Sequence, residues 1–319
     1  MHPAGLFPPV EPFKRGTLAV GEGHRLYFEV SGNPAGRPVL VLHGGPGSST
    51  SPGQRQFFDP ACWRIVLFDQ RGCGQSAPLG SLRGNDTQSL VADIERLRAT
   101  LGVERWVLFG GSWGAALALA YTLEYPQQVS ALVLRGVFLG SREEVEWFLL
   151  GLRRLLPEAW ARFADAAVTD ARGLLSRYHA RVFDDDPACA LEAARRWLAY
   201  EDAVMAAGEN GATATELGDE ALLARVRVQL HYLVHDCFLP PRRLLDGAAR
   251  LGELPAILVH GGRDLVCRPR IAQDLARHWR GARLRIVEEG GHSPVSPAMT
   301  GALIEATREV ETLVQEYPA

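Results

Sequence analysis

The run RWVLFGGSWGAALALAY at residues 105–121 decides how the rest of the chain is read. Arg105–Phe109 is a short, almost wholly apolar segment, as expected of a strand covered on both faces. From Ala115 the sequence reads as a helix that stops before Pro126. Between them lies Gly110-Gly111-Ser112-Trp113-Gly114, which matches G-x-S-x-G. A serine at such a sharp strand-to-helix turn has its hydroxyl pushed out at the strand's end. The flanking glycines let strand and helix backbones approach, and the helix N-terminus favours negative charge developing beside the serine.

Working outward, Pro38–Leu42 is a second apolar strand, ending at His43-Gly44-Gly45-Pro46-Gly47. Trp63–Asp69 is a third, ending at Gln70-Arg71-Gly72, and Arg25–Ser31 reads as an earlier strand. Asp86-Thr87 can cap a helix whose apolar positions Leu90, Val91, Ile94, Leu97 and Leu101 share one face, and Gly102 ends it. Ala131–Leu134, Pro255–His260 and Arg283–Val287 are further strands, and a last helix begins near Ala298. Strand and helix alternate, so an α/β class with a mostly parallel sheet flanked by helices is predicted. With G-x-S-x-G at a strand–helix junction, this is the α/β-hydrolase fold.

The rhythm breaks near Gly140. Val145, Phe148, Leu149, Leu152 and Leu156 make a helical stripe, and Leu191–Met205 and Ala221–Val234 also read as helices. The expected organisation is a core of residues 1–139 and 246–319 carrying an inserted all-helical cap at 140–245.

Hydrophobic residues make up 47% and charged residues 22%, and the net charge is −3 with no basic run, which argues against nucleic-acid binding. The N-terminal prolines would break a signal peptide, and no apolar stretch nears the roughly 18 residues of a membrane span. Cys62, Cys73, Cys189, Cys237 and Cys267 are scattered and odd in number, with no CxxC pair, so neither a disulfide framework nor structural zinc is expected. A cytoplasmic location is the simplest reading. HExxH and clustered His/Cys ligands are missing from the sequence, so no metal or other cofactor is expected.

A serine hydroxyl needs a base. His292, in Glu289-Gly290-Gly291-His292-Ser293-Pro294, follows a predicted strand late in the chain. Asp264 follows the Pro255–His260 strand, with room for one helix and one strand before His292. The order Ser112…Asp264…His292 is the order this fold uses, and the aspartate would fix the histidine's tautomer. Asp274 competes for the acid role but falls in a helical stretch. Backbone N–H groups of Trp113 and Gly45 are the expected oxyanion donors. His43 reads as a structural histidine pinning that loop.

At these residues the chain resembles the prolyl aminopeptidases, or proline iminopeptidases, of the α/β-hydrolase superfamily. The matching stretches are HGGPGSS (43–49), DQRGCGQS (69–76), GGSWG (110–114), LRGVFL (134–139), GRDLVC (262–267) and GGHS (290–293). The resemblance implies a serine exopeptidase that releases N-terminal proline from small peptides through an acyl-enzyme, without metal or cofactor. It also implies that cap glutamates anchor the substrate's free amine. Glu201, in Arg196–Glu201, keeps one such position, with Tyr200 in place of a tryptophan. Gln229, in Gln229-Leu230-His231-Tyr232, stands at the other, and Leu149 stands where the family has tyrosine. A carboxylate suits a protonated N-terminus on charge grounds alone, although Glu201 beside Asp202 also fits a solvated helix face. Phe138 and Trp147 suit either a flat apolar pocket for the pyrrolidine ring or ordinary packing. Arg135 suits Glu201, the pocket rim or the surface, and Cys267 a buried position bordering the pocket. Other readings share the fold: an esterase or amidase without preference for a free amine, an aminopeptidase without strict proline preference, and a non-catalytic ligand-binding member.

Overall fold

In the computed structural model, which describes residues 5–164, 168–208 and 216–316, eight strands form one sheet. They are β1 (Lys14–Ala19), β2 (Arg25–Gly32), β3 (Arg37–Leu42), β4 (Trp63–Phe68), β5 (Trp106–Gly111), β6 (Val129–Arg135), β7 (Ala256–Gly261) and β8 (Ala282–Val287). Their spatial order is β1-β2-β4-β3-β5-β6-β7-β8. Neighbours from β4 to β8 are parallel, while β1–β2 and β2–β4 are antiparallel.

Ten helices are described: α1 (Thr87–Thr100), α2 (Trp113–Glu124), α3 (Arg142–Leu149), α4 (Pro157–Phe163), α5 (Ala171–Val182), α6 (Pro187–Ala207), α7 (Asp219–Val234), α8 (Arg243–Ala248), α9 (Pro269–His278) and α10 (Pro297–Glu316). Strand side chains alternate between two faces. Leu40, Leu42, Leu108 and Leu258 join residues of α1, α2, α8 and α9 in one core cluster. Val39, Val41, Val107 and Val259 join Met299, Leu303 and Val310 of α10 in another. Both faces are thus covered, which is why these strands read as unbroken apolar runs. Asp86 caps α1 by accepting from Ser89 N (2.7 Å), as its position before the apolar stripe suggests.

Helices α3–α8 all lie between β6 and β7, and α3–α7 have a core of their own. Phe163 stacks on Tyr200 (4.0 Å) and edges Trp197 (5.5 Å), which also meets Tyr178 (5.2 Å). The stripe from Val145 to Leu156 is not one helix. It stops at Leu149, passes through a 3₁₀ turn at Gly151–Arg154, and resumes at Pro157. Helices α4, α5 and α8 and strand β1 lie outside the individually expected elements. α8 spans the expected 245/246 boundary, with its Leu244 and Ala248 in the core cluster of α2 and α9.

Candidate active site

The C-terminal ends of the central strands meet at one place: Leu42 pairs with Gly110, Gly111 with Arg135, and Arg135 with Val259. Ser112 follows β5 with φ 57° and ψ −123°. For a non-glycine residue such a conformation costs on the order of 1–3 kcal/mol and persists only when its surroundings fix it. Here Ser112 N donates to Arg135 O (2.9 Å), and Ser112 O accepts from Ala115 N (2.9 Å). A side chain on Gly110 would strike the Gly114 carbonyl, and one on Gly114 would strike the Leu42 carbonyl. The two glycines of G-x-S-x-G are therefore required by close backbone approach.

Asp264 sits in the turn after β7 and is buried. Its Oδ1 accepts from Val266 N (2.9 Å) and Cys267 N (2.8 Å), and its Oδ2 accepts from His292 Nδ1 (2.7 Å). Because the carboxylate only accepts, the imidazole proton lies on Nδ1, leaving Nε2 as the basic nitrogen. Burial, the largest influence on Asp264, pushes its pKa up, but the His292 charge and these hydrogen bonds outweigh it and hold the carboxyl below its usual range. A second histidine, His260, lies 3.5 Å from Asp264 Oδ2. It accepts from Val137 N on Nδ1 (3.1 Å), so its Nε2 donates to Cys267 O (2.7 Å). Burial lowers its pKa, so it stays neutral and braces the acid turn. Asp274, on α9, instead pairs with Arg277 (2.5 Å).

The loop after β3 packs against the serine turn. A Cβ on Gly44 would lie 3.2 Å from Gly111 O and 3.4 Å from Ser112 Cβ. Buried His43 accepts from Gln70 N on Nε2 (3.0 Å) and donates from Nδ1 to Gly44 O (3.0 Å). The Gln70 side chain donates to His43 O (2.9 Å) and accepts from Trp113 Nε1 (2.9 Å). His43 is thus a loop pin, kept neutral by burial, and Gln70 bridges this loop to the first residue of α2. The N–H groups at that helix start have no intrahelical acceptor.

Ser112 and His292 line a cavity of about 810 Å³, whose opposite wall comes from the inserted helices. On α6, Trp197 and Glu201 are one turn apart, and on α7 so are Arg225 and Gln229; each pair shares a helix face. The faces interlock. Gln229 donates from Nε2 to Glu201 Oε1 (2.5 Å) and accepts from Trp197 Nε1 on Oε1 (3.0 Å), while Arg225 Nη2 lies 3.3 Å from Glu201 Oε2. Indole N–H only donates and carboxylate only accepts, so the orientation of the Gln229 amide is fixed chemically.

The structure brings Ser112, Asp264 and His292 together, with Gly45 and Trp113 beside them, and sets Glu201, Gln229, Phe138 and Arg135 in the cavity wall. Three details sharpen the expectations from sequence. Gln229 reaches Glu201, and its amide oxygen already accepts from Trp197, so one of its two lone pairs is taken before any substrate arrives. Trp147 does not line the cavity: its indole donates to Leu265 O (2.8 Å) under the Arg268 guanidinium, and its neighbour Phe148 lines the wall instead. Arg135 donates to the His292 carbonyl, bracing the base loop. Arg225 was not expected here, and Phe148 and His260 were expected only as part of an apolar stripe and as a strand end. Arg225 carried a signal, lying one helical turn before Gln229, whereas His260 looked like the last residue of an apolar strand.

Residues 37–296 match the family model described as the alpha/beta hydrolase fold. A proline iminopeptidase of Xylella fastidiosa is 44% identical over 306 residues, covering 95% of this chain and 98% of that protein. One of Arabidopsis thaliana is 41% identical over 314 residues, covering 97% and 83%. Among solved structures, a proline iminopeptidase-related protein of Thermus thermophilus superposes with a TM-score of 0.59 at 27% identity, covering 94% of this chain and 99% of that one. A serine turn, a buried aspartate–histidine pair and full-length likeness agree: this hydrolase belongs to the α/β-hydrolase fold family and, within it, to the proline iminopeptidases.

Proposed function

We propose that this chain is a serine aminopeptidase releasing N-terminal proline from small peptides. The observation that carries the reading is a Glu201 carboxylate in the wall of the cavity that also holds Ser112 and His292. Ser112 Oγ attacks the scissile carbonyl while His292 Nε2 takes its proton, and Asp264 holds the imidazole in the required tautomer. The tetrahedral oxyanion faces the backbone N–H groups of Gly45 and Trp113. Collapse passes the proton from His292 to the departing amine and leaves a prolyl ester on Ser112. Water, deprotonated by His292, then attacks that ester, and proline and the free serine are regenerated.

Glu201 anchors the substrate's ammonium, Gln229 orients Glu201, and Phe138 forms part of the apolar wall beside the pyrrolidine ring. Arg135 supports the base loop from the pocket rim. Residues 140–245 act as a cap that closes the cavity over short substrates. All five cysteines are free, which supports a cytoplasmic location. No helix among the described residues is long and apolar enough to cross a membrane.

The test is a panel of free and N-blocked aminoacyl arylamides. Preferential cleavage of the free prolyl arylamide is expected. Equal rates on free and blocked substrates would move the assignment to an esterase or amidase without amine preference, a reading favoured by the guanidinium already paired with Glu201.

A further inference from the structure

Glu201 is the carboxylate expected to meet the substrate's charge, yet it is not alone. Arg225 contacts its second oxygen through one nitrogen, Nη2, at 3.3 Å, and the two side chains are 20% and 15% exposed. The guanidinium makes no fork-to-fork contact with Glu201. Its Nε–H is buried without a hydrogen-bond partner, an arrangement that costs stability rather than adding to it. The backbone that carries it is nevertheless fixed from behind: a side chain on Gly47 would strike the Arg225 carbonyl, so α7 is seated directly on the loop after β3. With Gln229 uncharged, the group formed by Glu201, Arg225 and Gln229 carries no net charge.

We infer that Arg225 is a specificity-determining residue: by pairing with Glu201 it offsets the charge of the amine anchor itself, so substrates with an uncharged N-terminus are turned over beside the free-amine class. The inference rests on Glu201 being the amine anchor. A substrate ammonium must share Glu201 with a resident cation, which weakens its grip. An acylated N-terminus meets a Glu201 carboxylate that already has a cationic partner, which lowers the desolvation cost that an unpaired one would impose.

The experiment measures kcat and KM for proline 4-nitroanilide and N-acetylproline 4-nitroanilide in the wild type, Arg225→Met, Arg225→Lys, Glu201→Gln and the Glu201→Gln/Arg225→Met double variant. The wild type should cleave both substrates. Arg225→Met should lower KM for the free-amine substrate about five-fold, the upper size expected for one such ion pair, and raise the free-to-blocked ratio of kcat/KM by a similar factor. Arg225→Lys keeps a point charge, which suffices for a single-nitrogen contact, and should stay within about two-fold of the wild-type ratio. In the Glu201→Gln background, Arg225→Met relieves only the direct repulsion of the ammonium, so it should change that ratio by a different factor from that seen with Glu201 present. If Arg225→Met fails to fold, Arg225→Gln reads the same ratio.

The inference is overturned if the wild type does not cleave the blocked substrate. It is equally overturned if the Arg225 variant shifts both substrates alike, or leaves KM for the free amine unchanged or raised, while Glu201→Gln still costs the free amine selectively. If Glu201→Gln lacks that selectivity, the amine-anchor reading itself fails, which is a separate result.

Discussion

Two carboxylates serve the same cavity, Glu201 from its wall and Asp264 from behind His292, and they are held in opposite ways. Asp264, at a sheet end, is fixed by the backbone N–H groups of Val266 and Cys267 and by His292. Glu201, on an inserted helix, is fixed by the side chains of Gln229 and Arg225. Backbone donors persist whatever side chains surround them, whereas a carboxylate held by side chains takes its strength from their identities. The sheet-end group is therefore built to stay constant, and the inserted group to be retuned by single substitutions.

The largest expected effect lies on the sheet side. Ser112→Ala should lower kcat by about 10⁶ for every substrate, with the fold intact by circular dichroism. Turnover near wild type by the pure variant would remove Ser112 from the mechanism. Next, Asp264→Asn should cost roughly 10⁴ in kcat through loss of the histidine tautomer. Asp274→Asn should stay near wild type, because Asp274 pairs with Arg277 on α9; the reverse result would exchange the two acids.

On the inserted side, loss should depend on the substrate. Glu201→Gln is expected to lower kcat/KM about 10²-fold on a free prolyl arylamide, equivalent to about 2.7 kcal/mol. The loss on p-nitrophenyl acetate, which has no ammonium, should be far smaller. Equal losses would make Glu201 a structural residue and erase the contrast between the two sides.

The smallest effect is on stability. In the folded protein Asp264 is a stronger acid than usual, so its stabilising contribution is complete above the unfolded value of about 3.9 and is lost as pH falls through the lower folded value. The gap in Tm between wild type and Asp264→Asn should be widest above about pH 5 and narrow below about pH 4. A gap independent of pH would mean that the asparagine acts through packing.

What was legible in the sequence follows the same division. The strands ending at Leu42, Phe68, Gly111 and Gly261 were readable because burial on both faces demands apolar runs, and close backbone approach demands glycine beside them. Strand β1, KRGTLA, was hidden because an antiparallel edge strand with exposed side chains carries no such run. In the insertion, periodicity gave helices but not their interruptions: the turn at Gly151–Arg154 lies within a continuous apolar stripe. Nor does periodicity separate neighbours such as Trp147 and Phe148, which differ only in whether the ring points to the Leu265 turn or to the cavity. Glu201 and Gln229 were found by resemblance, but the hydrogen bond from Trp197 that engages Gln229 links two helices and leaves no trace in either one alone.

Gly136 also bears on how the base is aimed. It follows β6 with φ +50°, and a Cβ there would lie 3.0 Å from His292 Cε1, 3.1 Å from its Nδ1 and 3.4 Å from Asp264 Oδ2. A single methyl group would press on the hydrogen bond that aims the imidazole, while leaving every reacting side chain chemically unaltered. The imidazole would have to give way by a few tenths of an ångström, and alanine is strained at this φ, so Gly136→Ala should lower kcat by mis-aiming the base.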